Sequence, residues 1–230
     1  MSKLEVYFLG HSGFAIELND KLLIFDYYID DNNVLTKLFP KNHKKYFFSS
    51  HNHHDHYNEE ILKYASANTY YILSDDIVLQ KNISNVNLIS PDNEIIIGDI
   101  TVKTIGSTDA GVAFIVQFND WTIFHAGDLN WWHWNGDTED NLKLAAENFQ
   151  KELSKIKGFY FDVAFFPVDA RLEEHSTKGV NEFLHCVKVD HIVPMHMHGL
   201  VWRENKVVTK NGESKIWFPE QYGDKVTFEK

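Results

Sequence analysis

The residues that stand out for chemistry lie in one short stretch, Ser49-Ser50-His51-Asn52-His53-His54-Asp55-His56. Imidazole and carboxylate side chains at this density are ligands for Zn²⁺, Mn²⁺ or Fe. Side chains alternate along an extended chain, so His51 and His53 are expected on one face. Asp55 and His56, beyond a bend, can serve a second position a few ångströms away. The alternative is an exposed polar loop or an adventitious metal tract. The placement of the cluster, between an apolar run and a helix-like segment, argues for a built site. A metal there would lower the pKa of a bound water and polarise a carbonyl or phosphoryl oxygen.

The elements that must position these residues follow from periodicity. Tyr46 to Ser49 is apolar and strand-like and ends in the cluster. Before it, Glu5 to Leu9, Phe14 to Leu18 and Leu22 to Asp26 read as strands, with Asn19-Asp20 as a tight turn. After it, Asn58 to Ala67 reads as a helix capped by Asn58, with Glu59 and Glu60 near its positive end. Tyr70 to Leu73 returns to strand, and Asp75 to Lys81 reads as a short helix. Hairpins follow: Glu94 to Ile97 turns at Gly98-Asp99 into Ile100 to Ile105, and Val112 to Phe118 turns at Asn119-Asp120 into Trp121 to His125. Thr138 to Ile156 has helical spacing. Asp162 to Phe166 reads as a buried strand, Ser176 to Val187 as a helix capped by Ser176 or Thr177, and His191 to Pro194 and Val226 to Phe228 as strands. This order suits two packed sheets with helices outside.

Composition narrows the function classes. The 230 residues are 43% apolar and 14% aromatic, enough for a sizeable core, and show no repeats and no linker-like stretch. A single domain, 1–230, is expected. The formal charge of −11, from 22 basic and 33 acidic side chains, argues against a nucleic-acid partner and for a small-molecule substrate. No apolar run approaches the roughly 20 residues of a membrane span, and Met1 to Glu5 shows no signal-peptide pattern, so a cytoplasmic location is expected. The one cysteine, Cys186, allows no intrachain disulfide and reads as a buried apolar residue. A homo-oligomer is left open.

The pattern His-x-His-x-Asp-His after a strand resembles the signature of the metallo-β-lactamase superfamily. Phe124-His125-Ala126-Gly127-Asp128 resembles its Gly-Asp motif, and Ile192-Val193-Pro194-Met195-His196 the late strand that delivers the last ligand. Leu9-Gly10-His11-Ser12-Gly13-Phe14 and Leu23-Ile24-Phe25-Asp26 are similar to the opening hairpin of the branch that contains ascorbate-6-phosphate lactonase. The resemblance runs from about residue 4 to residue 200. It implies an α/β (α+β) fold, a four-layer αββα sandwich, binding one or two divalent metal ions (Zn, Mn or Fe). The implied ligands are His51, His53, Asp55, His56, Asp128 and His196. His198 competes with His196, which follows the strand end directly.

One part of the pattern is missing. The family usually supplies a further histidine from the loop that here reads Ile105-Gly106-Ser107-Thr108-Asp109-Ala110-Gly111. Asp109 is the candidate substitute ligand, with His125 a second candidate; otherwise one metal position is weak, or the protein is non-catalytic. His125 is also a candidate proton donor, against the alternative of a core histidine. Arg171 can hold an anionic substrate group in a fork, against a structural ion pair with Asp169, Glu173 or Glu174. His11 and Trp134 are candidate pocket residues, the latter with Trp131 and Trp132 as an apolar wall or a surface patch.

The expected activity is hydrolysis by metal-bound hydroxide, with Asp55 and Asp128 orienting it and His125 aiding the leaving group. By analogy with the branch, the substrate is a lactone, ester or phosphodiester of a small anionic metabolite. The alternatives are a non-catalytic metal-binding or sensing protein and, third, a nuclease of the same superfamily.

Overall fold

The computed structural model describes residues 2–39, 43–197 and 214–230. The chain divides into two compact units, one of residues 1–89 with 219–230, the other of residues 90–218.

The first unit holds a seven-stranded sheet. Its strands are β1 (Lys3–Gly10), β2 (Gly13–Leu18), β3 (Lys21–Phe25), β4 (Lys44–Ser49), β5 (Thr69–Ser74), β6 (Val86–Ile89) and the carboxyl-terminal Lys225–Glu229. Lys225–Glu229 pairs antiparallel with β1, β1 with β2 and β2 with β3; then β3, β4, β5 and β6 run parallel. The parallel strand β3 is buried along its whole length and β4 from Tyr46 to Ser49, with apolar runs at Leu22–Phe25 and Tyr46–Phe48, as strands covered on both faces require. Phe47, Tyr71, Leu22, Ile24 and Ile61 pack in one cluster with the short helix α1 (Val34–Leu38). Asn19 takes the left-handed backbone (φ 55°) that the β2–β3 turn requires.

The second unit holds another seven-stranded sheet: β7 (Glu94–Ile97), β8 (Ile100–Gly106), β9 (Val112–Phe118), β10 (Trp121–His125), β11 (Tyr160–Pro167), β12 (Lys188–Met195) and β13 (Lys215–Ile216), hydrogen-bonded in that order. The remaining strand, Lys225–Glu229, is β14. Again three antiparallel pairings precede three parallel ones. Helix α2 (Glu139–Ser154) begins at Thr138, whose hydroxyl accepts the Asn141 N–H at 3.2 Å. Helix α3 (Lys178–Cys186) follows Thr177. Among the described residues, no helix is long and apolar enough to cross a membrane.

Two helix expectations fail. Residues 58–67 form only a 3-10 helix, Glu59–Tyr64. The cap is right, since Asn58 Oδ1 accepts the Glu60 N–H at 2.9 Å, but only Ile61 is fully buried, with Leu62 and Tyr64 half-buried against the same cluster, and so little burial does not sustain further turns. Residues 75–81 form a turn and irregular chain; Ile77 is buried in the core, Leu79 packs partly against it, and Val78 is 85% exposed. The short elements α1, β6 and β13 carry too little periodicity to be read from sequence.

Candidate metal centre

In the first unit, the cluster leaves the end of β4 and turns back on itself. The His53 carbonyl accepts the N–H groups of His56 (3.0 Å) and Tyr57 (2.9 Å), which carries His56 back towards His51, with ring centroids 4.2 Å apart. His51 and His53 meet as the alternation predicts, their rings 4.4 Å apart. His11, on the β1–β2 turn, joins Asp55 and His56, and their ligand atoms lie within 4.8 Å of one another. Its Nε2 stands 3.3 Å from Asp55 Oδ2. The hydrogen bond from His11 holds the Asp55 carboxyl well below the usual carboxylate range, against the opposing effect of burial. His53 and His54 are both exposed.

Under this loop lies Asp26, directly after β3 and fully buried. Its Oδ1 accepts the Ser50 N–H at 2.7 Å, and its Oδ2 accepts the Ser50 hydroxyl at 2.8 Å and pairs with His56 Nδ1 at 2.7 Å. The Ser50 hydroxyl also contacts His51 Nδ1 at 3.0 Å. Both imidazoles are thus held through Nδ1, which presents Nε2 as the ligating nitrogen. His11 (φ 53°) and Asp26 (φ 43°) sit in left-handed backbone, a strain of about 1–3 kcal/mol per residue that the surrounding hydrogen bonds sustain.

In the second unit, the corresponding groups come from three neighbouring parallel strands. Asp128 follows β10 after a turn at Gly127 (φ 52°), where the Leu129 N–H bonds the Ala126 carbonyl at 2.9 Å. His196 follows β12, also in left-handed backbone (φ 63°), and its Nε2 lies 3.3 Å from Asp128 Oδ1. Asp169 follows β11, is fully buried, and meets His196 Nδ1 at 3.0 Å. Arg171 clasps Asp169 from the other side, through Nε at 3.0 Å and Nη2 at 2.5 Å. Burial alone would raise the Asp169 pKa; the hydrogen bonds from His196 and Arg171 outweigh it and hold the carboxyl well below its ordinary value.

The donor set fits a divalent metal: imidazoles with Nδ1 engaged, and carboxylates beside them. Asp26 and Asp169, which hold the ligand histidines, are the site residues that sequence reasoning missed. In the sequence Asp26 stands only as the end of the Leu23–Asp26 run and Asp169 only as an ion-pair partner for Arg171, and neither pattern points to a histidine.

The remaining candidates fall as follows. His125 is fully buried and its Nδ1 accepts the Gly127 N–H at 3.3 Å. Asp109 is exposed on the loop after β8, whose Thr108 hydroxyl donates to the Asn130 carbonyl at 2.6 Å and accepts the Asn130 N–H at 2.9 Å. Among the described residues, neither His125 nor Asp109 enters a group of three or more ligand-type side chains within 4.8 Å. Arg171 makes the ion pair with Asp169 that was weighed against a substrate role. Its guanidinium also lies 5.4 Å from the ring centre of Trp134. His198 lies outside the described residues.

Residues 5–196 match the family described as β-lactamase superfamily domain. The chain belongs to this superfamily. No curated protein matches the sequence. Among solved structures, Igni18, a metallo hydrolase from the archaeon Ignicoccus hospitalis, is 16% identical with a TM-score of 0.67, covering 99% of each chain. The metallo-β-lactamase fold protein YhfI from Bacillus subtilis is 15% identical with a TM-score of 0.64, covering 99% of this chain and 100% of its own. CmlA, a diiron β-hydroxylase from Streptomyces venezuelae, is 12% identical with a TM-score of 0.54, covering 85% of this chain and 45% of its own. These likenesses show the metallo-β-lactamase fold, a mixed α/β fold with two sheets and few helices, as the sequence led us to expect. A superfamily fold does not by itself specify a reaction.

Proposed function

We propose that this protein is a metal-dependent hydrolase acting on a lactone, ester or phosphodiester of a small anionic metabolite. The observation that carries the reading is the repeated support of imidazole Nδ1. Ser50 engages His51, Asp26 engages His56 and Asp169 engages His196. Such support sets the tautomer and raises the basicity of a ligand histidine. The proposed ligands are those of the motifs, His51, His53, Asp55, His56, Asp128 and His196, for one or two ions of Zn, Mn or Fe. A bound divalent metal there would supply Lewis acidity and an activated water.

This chain's own residues then have distinct tasks. Asp55, whose carboxyl is held below the usual range, and Asp128 would orient the water. His125 is the proposed aid to the leaving group. The resemblance of residues 9–14 and 23–26 to the opening hairpin of the ascorbate-6-phosphate lactonase branch favours the lactone and phosphodiester classes. The net charge of −11 supports a small-molecule substrate over nucleic acid.

The second reading, a metal-binding protein without turnover, is favoured by the absence of histidine from residues 105–111. The experiment that separates them is metal analysis of wild type and His51→Ala, followed by assays with a γ-lactone and bis(p-nitrophenyl) phosphate. Sustained turnover of either compound, lost in His51→Ala, supports the hydrolase. Stoichiometric metal with no turnover of either supports the sensing role. CmlA carries diiron hydroxylase chemistry on the same fold, so oxygen uptake by iron-loaded protein belongs in the same assay.

A further inference from the structure

We propose that Trp132 is a positioning residue for the candidate metal centre, joining the two strand ends that carry Asp128 and His196. The inference rests on the ligand set proposed above and not on the reaction. All of its parts lie in the second unit.

His196 Nε2 stands 3.3 Å from Asp128 Oδ1. The strands that deliver the two residues, β10 and β12, are not neighbours, because β11 runs between them. No ladder hydrogen bond therefore joins them directly. Both strand ends also leave the sheet through left-handed backbone, at Gly127 (φ 52°) and at His196 itself (φ 63°). A side chain that touches both residues is what fixes their separation, and Trp132 does so. Its Nε1–H donates to the Asp128 carbonyl at 3.1 Å, and its ring stands edge-on to the His196 imidazole, centroids 5.4 Å apart and planes 61° from parallel. The Thr108 hydroxyl approaches the same carbonyl at 3.4 Å, but it lies 2.6 Å from the Asn130 carbonyl and gives its proton there. The indole is thus the nearer donor to Asp128. The preceding indole, Trp131, faces Lys178 and Phe149 instead.

Trp132 and Asp169 restrain one imidazole in different ways. The contact of Asp169 with Nδ1 at 3.0 Å sets the direction of the ring but leaves it free to tilt about that bond. An edge-on indole opposes the tilt. Trp132 is braced in turn. Trp134 stacks on it, centroids 5.9 Å apart and planes 5° from parallel, and the Arg171 guanidinium lies 5.4 Å from the Trp134 ring centre. Arg171 Nη2 then reaches Asp169 Oδ2 at 2.5 Å. The contacts close a circuit that runs from His196 through Asp169, Arg171, Trp134 and Trp132 back to His196. Arg171 and both indoles are spent on one another, and what they hold in place is the ligand histidine.

The test is Co²⁺ titration in competition with a chelator, recording the visible absorption of the bound ion, on wild type, Trp132→Phe, Trp132→Ala and Asp128→Ala. Trp132→Ala is expected to weaken Co²⁺ binding about ten-fold or more and to shift the absorption bands, as loss of a group that orients a metal ligand does. Trp132→Phe keeps a ring beside His196 and loses the donor to Asp128, so it is expected to fall between wild type and Trp132→Ala. Urea unfolding of the metal-free proteins reports on folding, and Trp132→Phe alone decides if Trp132→Ala does not fold. Wild-type affinity and spectrum in the Trp132 variants, with only the urea midpoint lowered, overturn the inference by showing a structural role alone. Full Co²⁺ binding by Asp128→Ala strikes the ligand set and the inference with it. Weakened Co²⁺ binding in Trp132→Ala, when wild type turns over neither assay compound, refutes the hydrolase reading and leaves the inference standing.

Discussion

The two units solve one problem in two ways. In each, a buried carboxylate after a parallel strand holds the Nδ1 of a buried histidine: Asp26 holds His56, and Asp169 holds His196. Both sheets also share one topology, with three antiparallel pairings and then three parallel ones. Yet the first unit draws most of its ligand-type residues from a single loop after β4, while the second takes Asp128, Asp169 and His196 from the ends of β10, β11 and β12. Local chain geometry organises the first set, and strand register organises the second. The supports differ too. Asp26 is satisfied by fully buried donors on Ser50 and His56, whereas Asp169 relies on an arginine that is half in water.

The largest expected effect tests whether both units supply ligands. His51→Ala and Asp128→Ala should each remove at least half of the bound metal, measured by elemental analysis on folded protein. Full metal retention by either variant would strike that unit from the ligand set.

The next effect separates the two supports. Asp26→Ala strands the buried donors of Ser50 and His56 and should cost about 3 kcal/mol in urea unfolding. Asp169→Ala should cost less, about 2 kcal/mol, because the released Arg171 can turn to water. Both should weaken metal binding by about 10- to 100-fold. An inverted order of stabilities would mean that exposure of the partner is not what distinguishes the units.

Acid sharpens the second unit's account. The folded-state pKa of Asp169 is depressed. Its stabilising contribution is therefore complete above the unfolded value of about 4 and is lost as pH falls through the folded value. Lowering the pH from 7 to 3 should thus destabilise metal-free wild type more than metal-free Asp169→Asn, read from the urea midpoints. Parallel losses in the two proteins would contradict the pairing.

The smallest effect concerns the loop that lacks the family's histidine. Thr108→Val removes two hydrogen bonds to Asn130 and should cost about 1 kcal/mol with metal content unchanged. A large loss of metal in this variant would show that the loop takes part in binding after all.

The contrast between the units also marks what could be read in advance. The cluster of residues 51–56 was legible because five of its six side chains are ligand types and because extended geometry alone brings His51 to His53. Most strands were legible from apolar runs bounded by turn residues such as Asn19 and Asn119. The 3-10 turn at Glu59–Tyr64 reads as a longer helix in the sequence, because a good cap and acidic first turn do not reveal that only Ile61 is fully buried.

By itself, then, the sequence determined the superfamily, most of the strands and the ligand-type motifs, because these depend on residues near one another in the chain. Only the tertiary structure decided that Asp26 reaches His56 across 30 residues and that Asp169 reaches His196 across 27. It also decided that Arg171 turns to Asp169 and Trp134, and that His11 meets Asp55. Those contacts are set by the register of parallel strands and by left-handed backbone at His11, Asp26 and His196, and neither leaves a periodic trace in the sequence.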